Sequence, residues 1–180
     1  LGAKILGREL PPRIVLTYWI WQLCALCEQN GLRVFFLGGS HEAVTRAVRN
    51  VKERFPRLTV AGSYHGFFQK SGPESDIVVE MINEVKPNIL FVCFGMPMQE
   101  FWIKENFSRL TANVILPAGA MIDYAAGLKG IAPKWMANNG MEWLYRLIRE
   151  PKRLWKRYLI GNPMFIVATL LQRARKGKQV

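Results

Sequence analysis

The sequence predicts an α/β fold, a parallel sheet covered by helices on both faces and followed by a basic helical appendage. Apolar runs, glycine turns and helical stretches alternate up to about residue 128, the rhythm of βαβ units with right-handed crossovers. The runs RVFFLG (33–38) and NILFVCFG (88–95) are continuously apolar, as strands buried on both faces are. Positive charge gathers at the end. Of a formal net charge of +12, residues 129–180 hold twelve Lys and Arg against two acids.

The elements follow in order. A first helix is expected over about Ile14 to Asn30, stopped by Gly31. Strand 33–38 leads into the turn Gly38-Gly39-Ser40. A helix from Glu42 to Phe55 follows, with Ser40 as N-cap and Ala43, Ala47 and Val51 on one face. Leu58 to Gly62 reads as a short strand, and His65 to Ser75 as a polar turn. A helix from about Ser75 to Val85 ends at Lys86-Pro87. Strand 88–95 precedes a helix from Gln99 to Leu110, and NVILPAG (113–119) is a further strand. The rhythm ends near Gly127 to Pro133. This sets a core over residues 1–133 and an appendage over 134–180.

Half the residues are apolar, enough for one good core. The basic balance requires anionic partners: nucleic acid, phospholipid or a nucleotide-type substrate. Cys24, Cys27 and Cys93 lack the second Cys or His pair of a zinc site and read as buried, reduced thiols, as in a cytoplasmic protein. The uncharged run Ile14 to Cys27 has fourteen residues, short of the ~18–20 that span a bilayer. There is no signal-peptide pattern. The chain starts at Leu1 rather than Met, so further residues are expected upstream. No HExxH, facial triad, Walker, GxGxxG or GxSxG pattern occurs. No metal is expected.

Ligands of open α/β sheets bind beyond the carboxyl ends of the strands. Four such places carry candidates. Gly38 and Gly39 either admit a ligand to the backbone at a helix N-terminus or form a plain turn. Gln99 and Glu100 follow a buried strand and the Gly95 turn. Gln99 suits a base, hydroxyl or phosphate oxygen, unless both residues merely open a helix. Asp123, in the glycine-rich loop after Gly119, either ties that loop or meets a ligand. His65 either contacts a phosphate or shapes its loop, and His41 reads as a surface residue.

From Gly140 to Ile160 the chain reads GMEWLYRLIREPKRLWKRYLI. At helical spacing Leu144, Leu147, Ile148, Trp155 and Tyr158 share one side, and Arg146, Arg149, Arg153, Lys156 and Arg157 the other. That pattern suits an anionic membrane surface or a diphosphate. Its aromatics lie opposite the basic stripe, which favours lipid or core contact over base stacking. Glu150-Pro151 is expected to kink or break the helix.

The motifs FFLGGS, YHGFF, FGMPMQEFWI, PAGAMIDYAAG and APKWMANNGMEWLYRLIREPKRLWKRYL together resemble the WecG/TagA/CpsF glycosyltransferase family, from about Leu32 to Pro163. The resemblance implies a Rossmann-like core and an inverting, metal-independent transfer that uses no cofactor. The donor would be a UDP-sugar, commonly carrying N-acetylmannosamine or a related hexose derivative. The acceptor would be linked to undecaprenyl diphosphate, on the cytoplasmic face of the membrane, in teichoic-acid or exopolysaccharide synthesis. It implies no nucleic-acid partner, and it raises a homo-oligomer whose dissociation, or membrane contact, completes the site.

Carried over by motif, Gln99 and Asp123 are donor-site residues, and Gly38, Gly39, Gly95 and Gly119 are loops that UDP approaches. Arg146, Arg153 and Lys156 are cations for the diphosphate. Positive side chains stabilise a leaving UDP more than the bound sugar nucleotide, and the Arg fork matches phosphate. The family's N-terminal Asp-Gly motif, source of the proton acceptor, is absent from this sequence. Glu9 does not match it, so no catalytic base is assigned. The rival reading is a non-enzymatic basic module that binds anionic lipid or nucleic acid through its tail.

Overall fold

The computed structural model describes residues 2–9, 16–133, 135–136 and 139–176. The chain forms two compact units, Ile14–Ile131 and a second made of Leu1–Arg13 with Ala132–Val180.

The larger unit is the α/β core. Its strands β1 (Arg33–Gly38), β2 (Thr59–Tyr64), β3 (Ile89–Cys93) and β4 (Val114–Pro117) form one sheet of order β2-β1-β3-β4, parallel throughout. The two uninterrupted apolar runs become the central strands. Phe36 pairs in register with Phe91, and their rings stack at 5.3 Å. Period-two alternation then sends residues to opposite faces. Val34, Phe36, Phe91 and Cys93 meet the helices of one face, while Phe35, Leu37, Leu90 and Val92 meet those of the other.

Helices α2 (Leu16–Gln29) and α3 (His41–Arg54) cover the first face with Ile20, Cys24 and Cys27, and with Ala43, Val44, Ala47 and Val51. Ser40 caps α3 as expected: its hydroxyl accepts from the Ala43 amide at 3.0 Å. The expected α2 residues Ile14 and Val15 lie outside the described residues. Helices α4 (Pro73–Glu84) and α5 (Met98–Asn106) cover the second face. Pro73 opens α4 because its missing N–H costs nothing there. On α5 the buried residues are Gln99, Trp102 and Asn106, one helical stripe. Helix α5 stops four residues before the expected Leu110, and Asn106 Nδ2 donates to the Trp102 carbonyl at 2.9 Å within its last turn. Asp123, expected on a loop, lies instead in the short helix α6 (Met121–Ala125), whose Met121, Ile122 and Ala125 are buried against the first face.

In the second unit, α1 (Gly2–Ile5) packs on α9 (Asn162–Lys176). A Cβ at Gly2 would stand 2.9 Å from the Phe165 ring, and this close fit places the N-terminus here rather than in the α/β core. The amphipathic stretch over 140–160 is broken at Glu150-Pro151, as expected. Helix α7 (Glu142–Arg149) ends at Glu150, α8 (Pro151–Trp155) restarts after it, and a π-helical turn (Lys156–Gly161) leads into α9. Proline lacks the amide that would continue the helix. Leu144, Leu147 and Tyr158 are partly covered, but Ile148 and Trp155 face solvent. Among the described residues no helix is long and apolar enough to cross a membrane.

All three thiols are buried. Burial pushes Cys24 and Cys93 up from 9.0 to about 12 and raises Cys27. Between pH 9 and 12 the folded chain thus keeps thiol protons that the unfolded chain releases. Stability from this source is intact below pH 9 and falls as pH rises through that window. Urea denaturation at about pH 8 and about pH 11 is expected to show a smaller alkaline loss in Cys93→Ala than in the unaltered chain. An equal loss in both would remove Cys93 as a contributor.

Candidate functional site

The order β2-β1-β3-β4 reverses between β1 and β3, the switch point beyond which such sheets bind ligands. The loops after β1, β3 and β4 gather at this edge, and they carry all four glycines expected from the sequence.

These glycines divide into two kinds. Gly38 has φ +134, and a Cβ on it would lie 2.4 Å from the Cys93 carbonyl oxygen. Gly39 has φ +66, and its Cβ would meet Ile122 at 2.9 Å. Its amide donates to the Cys93 carbonyl at 3.3 Å. At the first pair a side chain would collide with β3 and α6, so glycine lets the end of β1 close on both. Gly95 and Gly119 have φ +83 and +58, with nothing within 4 Å of the position that a Cβ would take. Their left-handed turns face open space.

Gln99 is 3% exposed. Its side-chain oxygen accepts from the Gly119 amide at 2.9 Å, and its nitrogen donates to Glu100 Oε1 at 2.8 Å. The Gln99 amide donates in turn to the Gly95 carbonyl at 3.1 Å. Gln99 thus links the β3–α5 loop to the β4–α6 loop, holding Gly119 through its side chain and Gly95 through its backbone amide. Its amide is committed to this brace.

Asp123 is paired as well. Lys129 Nζ donates to its Oδ2 at 2.6 Å, with the Asp123 and Lys129 side chains 24% and 34% exposed. The Asp123 carbonyl accepts from the Leu128 and Lys129 amides at 2.9 and 3.2 Å. The carboxylate is close enough to the end of β3 to add to burial in holding the Cys93 thiol up. The arrangement offers an acceptor and a cation side by side at the carboxyl edge, suited to a sugar hydroxyl and a phosphate oxygen.

The fold also brings together at this edge side chains that lie far apart in the sequence, among them the candidate His65. Lys129 falls with the basic tail when charge is read along the chain, yet it serves the core. His41 and His65, far apart in sequence, have ring centroids 6.2 Å apart. The Phe67 amide donates to His65 Nδ1 at 3.2 Å. Lys70 donates to the Gly66 and Phe68 carbonyls at 2.6 and 2.7 Å and lies over the Phe68 and Phe94 rings. Burial pushes its ammonium below the usual lysine range, against the pull of Glu74. Only a fold that returns the β2–α4 loop onto Phe94 exposes that role.

The remaining candidates belong to the second unit. Arg146 is paired with the buried Glu142 one turn earlier. Lys156 is exposed, 5.6 Å from the Trp155 ring centroid. The side chain of Arg153 lies outside the described residues.

An open parallel sheet flanked by helices, with left-handed glycine loops and a paired acid and lysine at its switch point, defines an α/β protein whose candidate site lies at the carboxyl edge. The family is specific. Residues 1–179 match the Glycosyl transferase WecG/TagA/CpsF family, and the chain belongs to it. It is 28% identical to the N-acetylglucosaminyldiphosphoundecaprenol N-acetyl-beta-D-mannosaminyltransferase of Bacillus spizizenii, over 98% of this chain and 66% of that enzyme. To the enzyme of the same name from Staphylococcus aureus strain MW2 it is 30% identical, over 83% of this chain and 57% of that enzyme. The chain thus spans less than two thirds of the length of these relatives.

The two kinds of glycine make opposite demands on a methyl group. Gly38→Ala is expected to cost about 3 kcal/mol or more, since backbone must move. Gly119→Ala is expected to cost only about 1–2 kcal/mol, for the left-handed turn. Urea midpoints measure both, and equal losses would refute the division.

Proposed function

We propose that this chain is part of a glycosyltransferase that moves a sugar from a UDP-sugar to an acceptor linked to undecaprenyl diphosphate. The observation that carries the reading is family membership over nearly the whole chain, joined to open glycine loops at the switch point. The relatives' names specify a lipid-diphosphate acceptor and an N-acetylmannosaminyl group. We carry both to this chain as its substrate class.

In this reading the donor diphosphate lies against Gly95 and Gly119, braced by Gln99, and Asp123 receives a sugar or ribose hydroxyl. Lys129 holds the Asp123 carboxylate in position, and its cation offsets negative charge as UDP leaves. The transfer is inverting and needs no metal, because side-chain cations neutralise the leaving group. Arg146, Arg153 and Lys156 are further cations for a diphosphate or for the anionic lipid surface. The site works on the cytoplasmic face of the membrane. The second unit supports peripheral attachment: Leu159, Met164, Phe165 and Leu171 are all exposed beside exposed Arg149, Lys152, Lys156 and Arg157. Apolar side chains that enter the headgroup region and cations that remain at its surface are what such attachment needs.

Calorimetric titration with UDP, with EDTA present, tests the donor site. One-site binding without metal is expected, with Asp123→Asn weakening it about tenfold, or about 1.4 kcal/mol. Unchanged affinity in that variant would remove Asp123 from the site. Vesicles containing anionic phospholipid test the second unit. Joint replacement of Arg149, Lys152, Lys156 and Arg157 by Glu is expected to lower partitioning by about tenfold or more at low salt, and undiminished partitioning would overturn membrane attachment through this segment.

A further inference from the structure

A cavity of about 340 Å³ lies on the second face of the sheet, beside α5. That volume falls at the lower end of small-molecule sites, about 300–1,000 Å³. Its walls are Pro97, Met98, Phe101 and Trp102, with Lys70 and Glu105 as the charged residues of the lining. Helix α5 explains the shape. Gln99, Trp102 and Asn106 turn inward, which leaves Met98, Phe101 and Glu105 as the outward stripe. Met98 is 50% exposed and Phe101 62%. Two large apolar side chains thus stand open on a nine-residue helix, with the buried Trp102 ring behind them.

The charges give the cavity a direction. Lys70 lies 4.5 Å from the centroid of Phe94, the residue that follows β3, so the ammonium sits at the carboxyl edge. Glu105 is about two helical turns beyond Met98 on α5, roughly 10 Å along the axis. Lys70 donates to the Gly66 and Phe68 carbonyls, and an ammonium has a third N–H group to offer. An amphiphile with an anionic head and an apolar tail fits in one sense. Its head lies at Lys70, near the open glycine loops, and its tail runs along Met98 and Phe101, with the head kept away from Glu105.

We propose that this cavity binds the isoprenoid diphosphate portion of the lipid-linked acceptor. The first isoprene units cover Met98 and Phe101, and Lys70 takes a diphosphate oxygen. The assignment rests on the lipid-linked acceptor proposed above. It adds where the lipid enters: over the α5 face of the core. It also supplies a reason for Lys70 to be held by backbone carbonyls and two aromatic rings, since a fixed ammonium loses little freedom on meeting an anion.

The test uses the full chain and farnesyl diphosphate, a short isoprenoid diphosphate, with inorganic pyrophosphate as the tail-free probe. Farnesyl diphosphate is expected to bind about tenfold or more tightly than pyrophosphate. Phe101→Gln and Met98→Gln are each expected to weaken it about tenfold. Phe107→Gln, at an exposed apolar position just past the same helix but outside the cavity, should leave it unchanged. UDP affinity, titrated separately, should be the same in all three variants. Equal affinity for the two probes, no binding of farnesyl diphosphate, or equal loss in Phe107→Gln and Phe101→Gln would each overturn the site. So would variants that alter self-association in sedimentation while farnesyl diphosphate binding holds, since a second copy would then be the occupant. If UDP fails to bind while the farnesyl pattern holds, the donor reading falls and this site stands.

Discussion

The carboxyl edge of this protein depends on how closely β1 and β3 approach where they end. At Gly38 the Cys93 carbonyl occupies the space of a side chain. One residue later the Gly39 amide bonds the same oxygen. From there the β2–α4 loop joins in: the Gly66 amide donates to the Gly39 carbonyl at 2.8 Å, and a Cβ on Gly66 would stand 3.1 Å from the Gly38 Cα. Three glycines thus bind three chain segments into a dense floor. Backbone atoms in such contact leave no alternative arrangement, because cores at this density do not deform gradually.

Upon this floor side chains brace the loops. Gln99 accepts from the Gly119 amide while its own backbone amide bonds the Gly95 carbonyl, Lys129 holds Asp123, and Lys70 gathers the carbonyls of its own loop. Each brace sets a polar group at a defined place while leaving open space beside it. Buried polar groups that are fully bonded specify one conformation, and loops held in this way need not be ordered on binding a ligand. The aromatic cluster of Phe68, Phe94 and Trp102, with edge-to-face contacts at 5.6 and 6.4 Å, stiffens the same edge from the second face. Trp102 is anchored there by a 2.9 Å bond to the Ser75 hydroxyl.

The molecule also keeps two chemistries apart along its sequence. The core unit has few net charges and a site built from single, paired ionisable groups. The segment after Ile131 concentrates cations and exposed apolar side chains. In the core the ionisable groups at the carboxyl edge are held singly by short hydrogen bonds. In the second unit the cations are spread over α7, α8, the π-helical turn and α9.

The sequence by itself determined the α/β class, the four strands, and the helices that follow them. Continuous apolar runs and glycine turns are local signals, and burial on both faces requires nothing remote to be read. It also determined the family, through ordered motifs, and the break at Pro151, through a missing amide. Which glycines face open space and which pack against Cys93 and Ile122 was decided only by the tertiary structure, because φ and nearby atoms are not encoded at one position. The same holds for Gln99, whose partner Gly119 lies twenty residues away across a strand, and for Lys129, which composition groups with the tail. The meeting of His41 with His65, and of Lys70 with Phe94, depends on the crossover that carries the chain from β2 past β1 to β3. Contacts of that kind arise from strand order, and strand order is a property of the folded sheet.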